Sequence, residues 1–263
     1  MARERRLVFG EVAELYDRAR PSFPAALVDD VLVLAGLDAG GCALEVGAGT
    51  GKATVLFAAR GASVLALEPD PAMAAVAERN CAAYPNVTIE RAEFEHWDPP
   101  ATFSLVYSAQ AWHWIAPELR YVRARAALRP GGVLAAFWNR PEWDGCALRE
   151  ELDSVYRRVA PELGAGGGPM HPAPSRPLDL CDQWEREIAP AGGFEQAEVW
   201  SYRWVYEYST EEYLRLLRTH SDHIVLDPAP LVALLEGIGA VLHRHGGSME
   251  VSYVTRLCLA RAR

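Results

Sequence analysis

The chain has 263 residues, 50% of them hydrophobic and 23% charged, a composition that excludes a disordered protein and suits one large core or a core with an insertion. Its 26 Lys and Arg against 35 Asp and Glu leave a formal charge of -9. The basic residues are dispersed apart from a short cluster at Arg3 to Arg6, so nucleic acid is not an expected partner. No apolar run reaches the ~20 residues of a spanning helix and no basic-then-apolar leader opens the chain; the expected location is the cytoplasm, with no membrane partner. The five cysteines, Cys42, Cys81, Cys146, Cys181 and Cys258, are odd in number and show no Cys-x-x-Cys spacing, which predicts reduced thiols and no metal site.

In chain order, residues 8–18 and 24–34 read as helices leading into a first strand at 43–46. Helical patterns at 51–59, 71–83 and 117–128 then alternate with short apolar runs at 63–67, 87–90, 103–108 and 132–138. Strand, helix, strand in that rhythm is the signature of parallel crossover units, so the fold class is α/β with helices on both faces of the sheet. Pro71 and Pro117 sit where a helix start tolerates a missing N–H. Beyond the fifth strand, 146–159, 178–188, 209–218 and 231–243 read as helices, and 198–208 and 248–260 as strands. The Gly- and Pro-rich run 164–177 can be neither helix nor central strand, and the stretch around it is expected to be an inserted lid.

The first strand runs into Leu44-Glu-Val-Gly-Ala-Gly-Thr-Gly-Lys-Ala53. A P-loop would require Gly at Val46 and a hydroxyl at Ala53, and fails at both. A dinucleotide loop would require its third glycine at Lys52, a poor substitute, so an NAD(P)-dependent oxidoreductase is a weaker reading. What remains is Glu45-x-Gly47-x-Gly49-x-Gly51, a loop open to close approach by a compact ligand. The second strand ends at Glu68, about 20 residues on, where such folds hold ribose hydroxyls. A nucleoside without a phosphate is favoured.

At these residues the chain resembles the class I S-adenosylmethionine-dependent methyltransferases, and in particular their small-molecule type 11 group, which includes trans-aconitate methyltransferases. The resemblance runs from about Tyr16 to Asn139. It is carried by Leu44-Glu-Val-Gly-Ala-Gly-Thr-Gly51, Leu67-Glu-Pro-Asp-Pro-Ala-Met73, Phe103-Ser-Leu-Val-Tyr-Ser-Ala-Gln110 and Leu128-Arg-Pro-Gly-Gly132, in that order. It implies a Rossmann-like, seven-stranded, mostly parallel sheet with one antiparallel strand. The segments would be N-terminal helices covering the cofactor site (1–40), an S-adenosylmethionine-binding core (41–140), an inserted cap or lid (141–193) and a C-terminal part of the same sheet (194–263).

The resemblance also implies roles. Gly47, Ala48, Gly49 and Gly51 pass under the methionine part of the cofactor, and Glu45 orients the loop or the cofactor's amino group. Glu68, followed by Pro69, accepts the ribose hydroxyls, Met73 packs on adenine, and Ala92 and Glu93 lie near its amino group, although Arg91 stands where many relatives carry an acid. Tyr16 and Arg20 belong to a segment that folds over the cofactor, with Arg20 suited to its carboxylate. Ser108 and Gln110 lie beside the sulfonium. Trp112, Trp114, Trp138, Arg140, Trp143 and His171 are candidate contacts of a small-molecule substrate, and His113 is the candidate general base. The expected activity is methyl transfer to an O, N or C nucleophile; a non-catalytic cofactor-binding protein is the other alternative, and no pattern sets an oligomeric state.

Overall fold

The computed structural model describes residues 9–37, 41–98, 102–164 and 180–263. The elements in chain order are α1 (Ala13–Ala19), α2 (Ala25–Leu34), β1 (Cys42–Val46), α3 (Lys52–Ala58), β2 (Ser63–Leu67), α4 (Pro71–Cys81), β3 (Val87–Glu90), β4 (Phe103–Ala109), α5 (Pro117–Ala127) and β5 (Leu128–Glu142), then α6 (Arg149–Val159), α7 (Pro161–Gly164), α8 (Leu180–Ala191), β6 (Glu198–Ser209), α9 (Thr210–Leu217), α10 (Ser221–Ile224), α11 (Pro228–Arg244) and β7 (Ser248–Arg261). The strands form one seven-stranded sheet in the order β3-β2-β1-β4-β5-β7-β6. β1 pairs in parallel with β2 and with β4, β2 with β3, and β4 with β5. The end of β7 meets the start of β5, with Gly131 N–H on the Ala262 carbonyl and Ala262 N–H on the Gly132 carbonyl, so β7 runs antiparallel, one place in from the edge strand β6.

Local chemistry sets several boundaries. Asp70 caps α4, its Oδ1 accepting from Ala72 N and Met73 N at 2.9 Å each, with Pro71 at the first helical position. Ser209 and Glu212 form a reciprocal capping box on α9. The Arg129-Pro-Gly-Gly132 run, just ahead of the strand expected at 132–138, lies inside β5. There Phe103 pairs with Leu128 but Leu105 with Val133, a bulge that Gly131 accommodates at φ +75°. β5 therefore starts earlier than expected and continues to Glu142.

The described residues group into two compact units. The first takes in the described parts of 1–20, 140–178 and 203–254; Leu152 and Tyr156 of α6, Tyr213 and Leu217 of α9, and Leu234 and Ile238 of α11 form its apolar core with Tyr208 and Tyr253. The second takes in the described parts of 21–139, 179–202 and 255–263. In it, alternate strand residues go to opposite faces: Leu44 and Val106 pack in one apolar layer, Ala43, Leu105 and Tyr107 in another. Helices cover both layers, as a parallel sheet requires. Cys42, Cys81 and Cys146 are free thiols. Cys258 is in a disulfide, against the expectation of reduced thiols; sequence spacing carries no information on which sulfurs the fold brings together. Among the described residues no helix is long and apolar enough to cross a membrane.

Candidate functional site

The site is built where β1 and β2 end side by side, Val46 opposite Leu67. Gly47 N and Ala48 N both donate to the Leu67 carbonyl at 3.0 Å, tying the glycine loop to the neighbouring strand. Gly47 has φ +72°, and a Cβ there would stand 2.5 Å from Ala111 Cβ, so only glycine lets the segment after β4 lie against the loop. Gly49 has φ +59°, and the space its Cβ would take is open. Gly51 caps α3.

Glu68 is 7% exposed. Its Oε2 accepts the Gly49 N–H at 2.7 Å and its Oε1 the Asp70 N–H at 2.9 Å. Burial raises its pKa from the ordinary carboxylate range to about 7, partly opposed by those two N–H groups. Each oxygen keeps a second lone pair for a further donor.

Glu45 is fully buried beneath the loop. Its Oε2 accepts from Thr54 Oγ1 at 2.5 Å and from the Tyr107 hydroxyl at 2.9 Å, while Oε1 is buried without a donor. Burial lifts its pKa to about 7 against the two hydroxyl bonds, with the Glu68 charge adding to the rise. Thr54 and Tyr107 were not singled out from sequence. Tyr107 is an alternate-position strand residue that faces Glu45 on the neighbouring strand, a relation that register alone reveals.

At the end of β4, Ser108 is buried and donates to the Val46 carbonyl at 2.8 Å. Gln110 has φ +65°, the one positive φ at a non-glycine among the described residues, a strained geometry typical of sites held in place for a purpose. Its backbone N–H is satisfied by the Phe137 carbonyl at 2.9 Å. The 3-10 turn Trp112–Trp114 sends its side chains in different directions. Trp112 is buried with Phe94, Tyr121 and Trp184, whereas His113 is exposed and its Nδ1 accepts from Trp138 Nε1 at 3.1 Å. In a neutral imidazole that bond places the ring proton on Nε2. Trp114 is half-buried against the His113 ring. Asn139, after Trp138, accepts from Thr255 Oγ1 at 2.7 Å and donates to the Ser22 carbonyl at 3.0 Å.

The other residues expected at the site are placed as follows. Pro69 is exposed and Met73 buried in the first turn of α4. Ala92 is half-buried, and Glu93 is exposed and turned to His96 Nδ1 at 2.9 Å. Tyr16, Arg20, Arg140 and Trp143 belong to the first unit, not to the unit holding the glycine loop. There Trp143 is part of the apolar core. His171 lies outside the described residues.

A family model described as "Methyltransferase domain" matches residues 43–132. An uncharacterised methyltransferase of Mycobacterium tuberculosis is 34% identical over 170 residues, 64% of this chain and 63% of that protein; the chain thus spans less than two thirds of that relative's length. A trans-aconitate 2-methyltransferase of Methylobacterium radiotolerans is 33% identical over 193 residues, 70% of this chain and 67% of the relative. The chain belongs to the class I S-adenosylmethionine-dependent methyltransferase family. A solved structure provisionally designated a type II methyltransferase, from Anaeromyxobacter dehalogenans, superposes with TM-score 0.60 at 23% identity, covering 92% of this chain and 97% of that one. A phosphoethanolamine N-methyltransferase of Haemonchus contortus, solved with phosphomonomethylethanolamine and S-adenosylhomocysteine, superposes with TM-score 0.55 at 16% identity, covering 96% of this chain and 57% of that one. These two likenesses concern the fold.

Proposed function

We propose that this chain binds S-adenosylmethionine at the glycine loop and transfers its methyl group to an O, N or C nucleophile on a small molecule. The observation that carries the reading is the placement of Glu68 on the loop: a buried carboxylate at the end of β2 bonded to the backbone of the loop that ends β1. The residues present fit the cofactor. Glu68 keeps one acceptor site on each oxygen, the number a vicinal diol needs, and the open side of Gly49 leaves room for a ligand against the backbone. No phosphate-binding device accompanies the loop, which favours a nucleoside over a dinucleotide.

When bound, S-adenosylmethionine supplies a methyl group on a positively charged sulfur. Gly47 and Gly49 let the backbone approach it, and Glu68 holds the ribose hydroxyls. Glu45, bonded to Thr54 and Tyr107, braces the loop from below. Ser108 and Gln110, held by the Val46 and Phe137 carbonyls, form the wall after β4. His113 carries its ring proton on Nε2 when neutral, and taking a proton at Nε2 would require the tautomer that forfeits the Trp138 bond. Displacement of this kind depends mainly on alignment in a dry pocket, and a strict base is not required. The trans-aconitate relative supports a carboxylic acid acceptor.

Calorimetric titration with S-adenosylmethionine, beside NADH and a Glu68→Ala variant, tests the reading. Saturable binding of S-adenosylmethionine that the substitution weakens supports it, and heat with NADH alone overturns it.

A further inference from the structure

The first unit holds a second set of polar side chains, centred on Arg20, that the glycine-loop site does not use. The Arg20 guanidinium is fixed in place: Nε donates to Thr219 Oγ1 and Nη2 to the Thr219 carbonyl, both at 2.8 Å, and Cζ lies 5.1 Å from the centroid of the Tyr16 ring. Thr219 is fully buried, and its own hydroxyl donates to the Leu216 carbonyl at 2.6 Å. Nη1 makes no hydrogen bond or ion pair to a described residue. A half-buried arginine, rigidly held and without a counter-charge, is suited to a planar anion.

Beside Thr219, His220 stands at the N-cap of α10, its ring 5.4 Å from that of His223. Burial first, and the Arg20 charge and His223 next, hold the His220 pKa well below its ordinary value, with Asp222 opposing, so the ring is neutral and has one N–H to give. The phenols of Tyr208 and Tyr253, bonded to each other at 3.0 Å, also feel the Arg20 charge.

His220, Asp222 and His223 place ligand atoms within 4.8 Å of one another, which raises a metal ion as an alternative. His223 argues against it, because both of its ring nitrogens are engaged: Nδ1 with Asp222 Oδ1 at 2.8 Å and Nε2 with the Tyr156 hydroxyl at 2.9 Å. Asp222 Oδ1 also accepts the His223 backbone N–H at 2.9 Å. A cation there would have to break this chain beside a fixed guanidinium. The chain meets His220 through the edge-on contact of the two imidazole rings.

We propose that Arg20 and His220 form a recognition site for a small carboxylic acid, with Arg20 Nη1 donating to the carboxylate and His220 giving a neutral N–H beside it. One guanidinium edge and one neutral imidazole match a carboxylate better than a phosphate dianion, which calls for more charge. That this acid is the methyl acceptor rests on the methyltransferase reading above. The family resemblance assigns Arg20 to the cofactor's carboxylate, and the two assignments separate by experiment.

The test is calorimetry on the full chain with succinate, tricarballylate and trans-aconitate as probes, and a trimethyl ester as uncharged control, with and without S-adenosylhomocysteine. At least one acid should bind saturably and the ester should not. Arg20→Gln should weaken the acid by about tenfold or more, and His220→Leu by about fivefold, with S-adenosylhomocysteine affinity held within about twofold in both. Since Arg20→Gln removes the tie to Thr219, Arg20→Lys serves if that variant does not fold; it keeps the charge, loses the fork and should weaken the acid likewise. The proposal is overturned if no acid binds, if acids bind the arginine variants as tightly as the unaltered chain, or if those variants weaken S-adenosylhomocysteine and leave the acid untouched. Acid binding that depends on Arg20 in a protein that takes no S-adenosylhomocysteine would sink the methyltransferase reading and leave this site standing.

Discussion

Gly49 donates its backbone N–H to Glu68 Oε2 at 2.7 Å, so the loop after β1 and the acid after β2 are one unit of structure. The shape of the loop and the position of the acid therefore cannot be varied separately.

The two glycines that flank Ala48 should fail in different ways. At Gly47 a methyl group would meet Ala111 Cβ at 2.5 Å, at φ +72°, so Gly47→Ala should lose about 2–4 kcal/mol of stability through overpacking and strain. At Gly49 the methyl enters open space and only the φ of +59° opposes it, a cost of about 1–2 kcal/mol. Urea denaturation should rank the two in that order. Titration with S-adenosylhomocysteine should show the reverse emphasis for Gly49→Ala: a folded protein whose affinity falls by about tenfold or more, because the methyl occupies the ligand's space. Equal stability losses with unchanged affinity would show that Gly49 serves only the turn.

Glu45 and Glu68 make stability and binding depend on pH in opposite directions. Both pKa values rise on folding, from an ordinary 4.5 to about 7, with burial the main cause. A raised carboxyl pKa means that the folded state holds the proton more tightly, so the associated stability is fully present below about 4.5 and lost as the pH rises through about 7. The loss is on the order of 3 kcal/mol per group at most. Thermal unfolding should show the midpoint falling between about pH 5 and pH 8, and Glu45→Gln should flatten that fall. A diol donating to Glu68, with a sulfonium nearby, favours the carboxylate, so cofactor binding should release protons and strengthen as the pH rises through the same window. A pH-independent affinity would separate Glu68 from the ligand.

The Trp138 bond predicts the protonation state of His113. With Nδ1 accepting from Trp138 Nε1 at 3.1 Å, the neutral ring should be the Nε2–H tautomer, visible in its nitrogen chemical shifts by NMR. Trp138→Phe should return the ring to a mixture of tautomers while His113 stays folded against Trp114. If the unaltered protein already shows an Nδ1–H ring, the bond is absent in solution and a base at Nε2 regains its footing.

The second unit was legible because its signals are local. A glycine spacing, an acid at a strand end and Pro-marked helix starts each depend on a few adjacent residues, and α4 starts at Pro71 as its Asp-Pro pair predicts. The Trp112-His-Trp114 run was less legible, since all three side chains read alike as pocket candidates. Which one turns inward depends on Phe94, Tyr121 and Trp184, partners that no local pattern names. Arg20 illustrates the same limit: its neighbour Thr219 stands near the other end of the chain, and only the fold brings them together. The brief helix Ser221–Ile224 was missed because four residues are too few for a periodic signal.

The chain of half-buried Asp222 and buried His223 and Tyr156 should prove structural and stiff. Tyr156 is 1% exposed and burial pushes its pKa far above the phenol range, with the Asp222 charge adding to the rise, so it stays protonated and donates to His223 Nε2. Tyr156→Phe keeps the ring and leaves that nitrogen buried without a donor, at a cost of about 1–3 kcal/mol. Denaturant unfolding should report this loss, while S-adenosylhomocysteine affinity in the second unit stays as it was. The acid probes offer the sharper reading: if the chain presents His220, Tyr156→Phe should weaken them by about the same factor as His220→Leu, and the two substitutions combined should do little more than either alone. Additive effects would mean that His220 is positioned by its own helix start and that Tyr156 contributes only to the core.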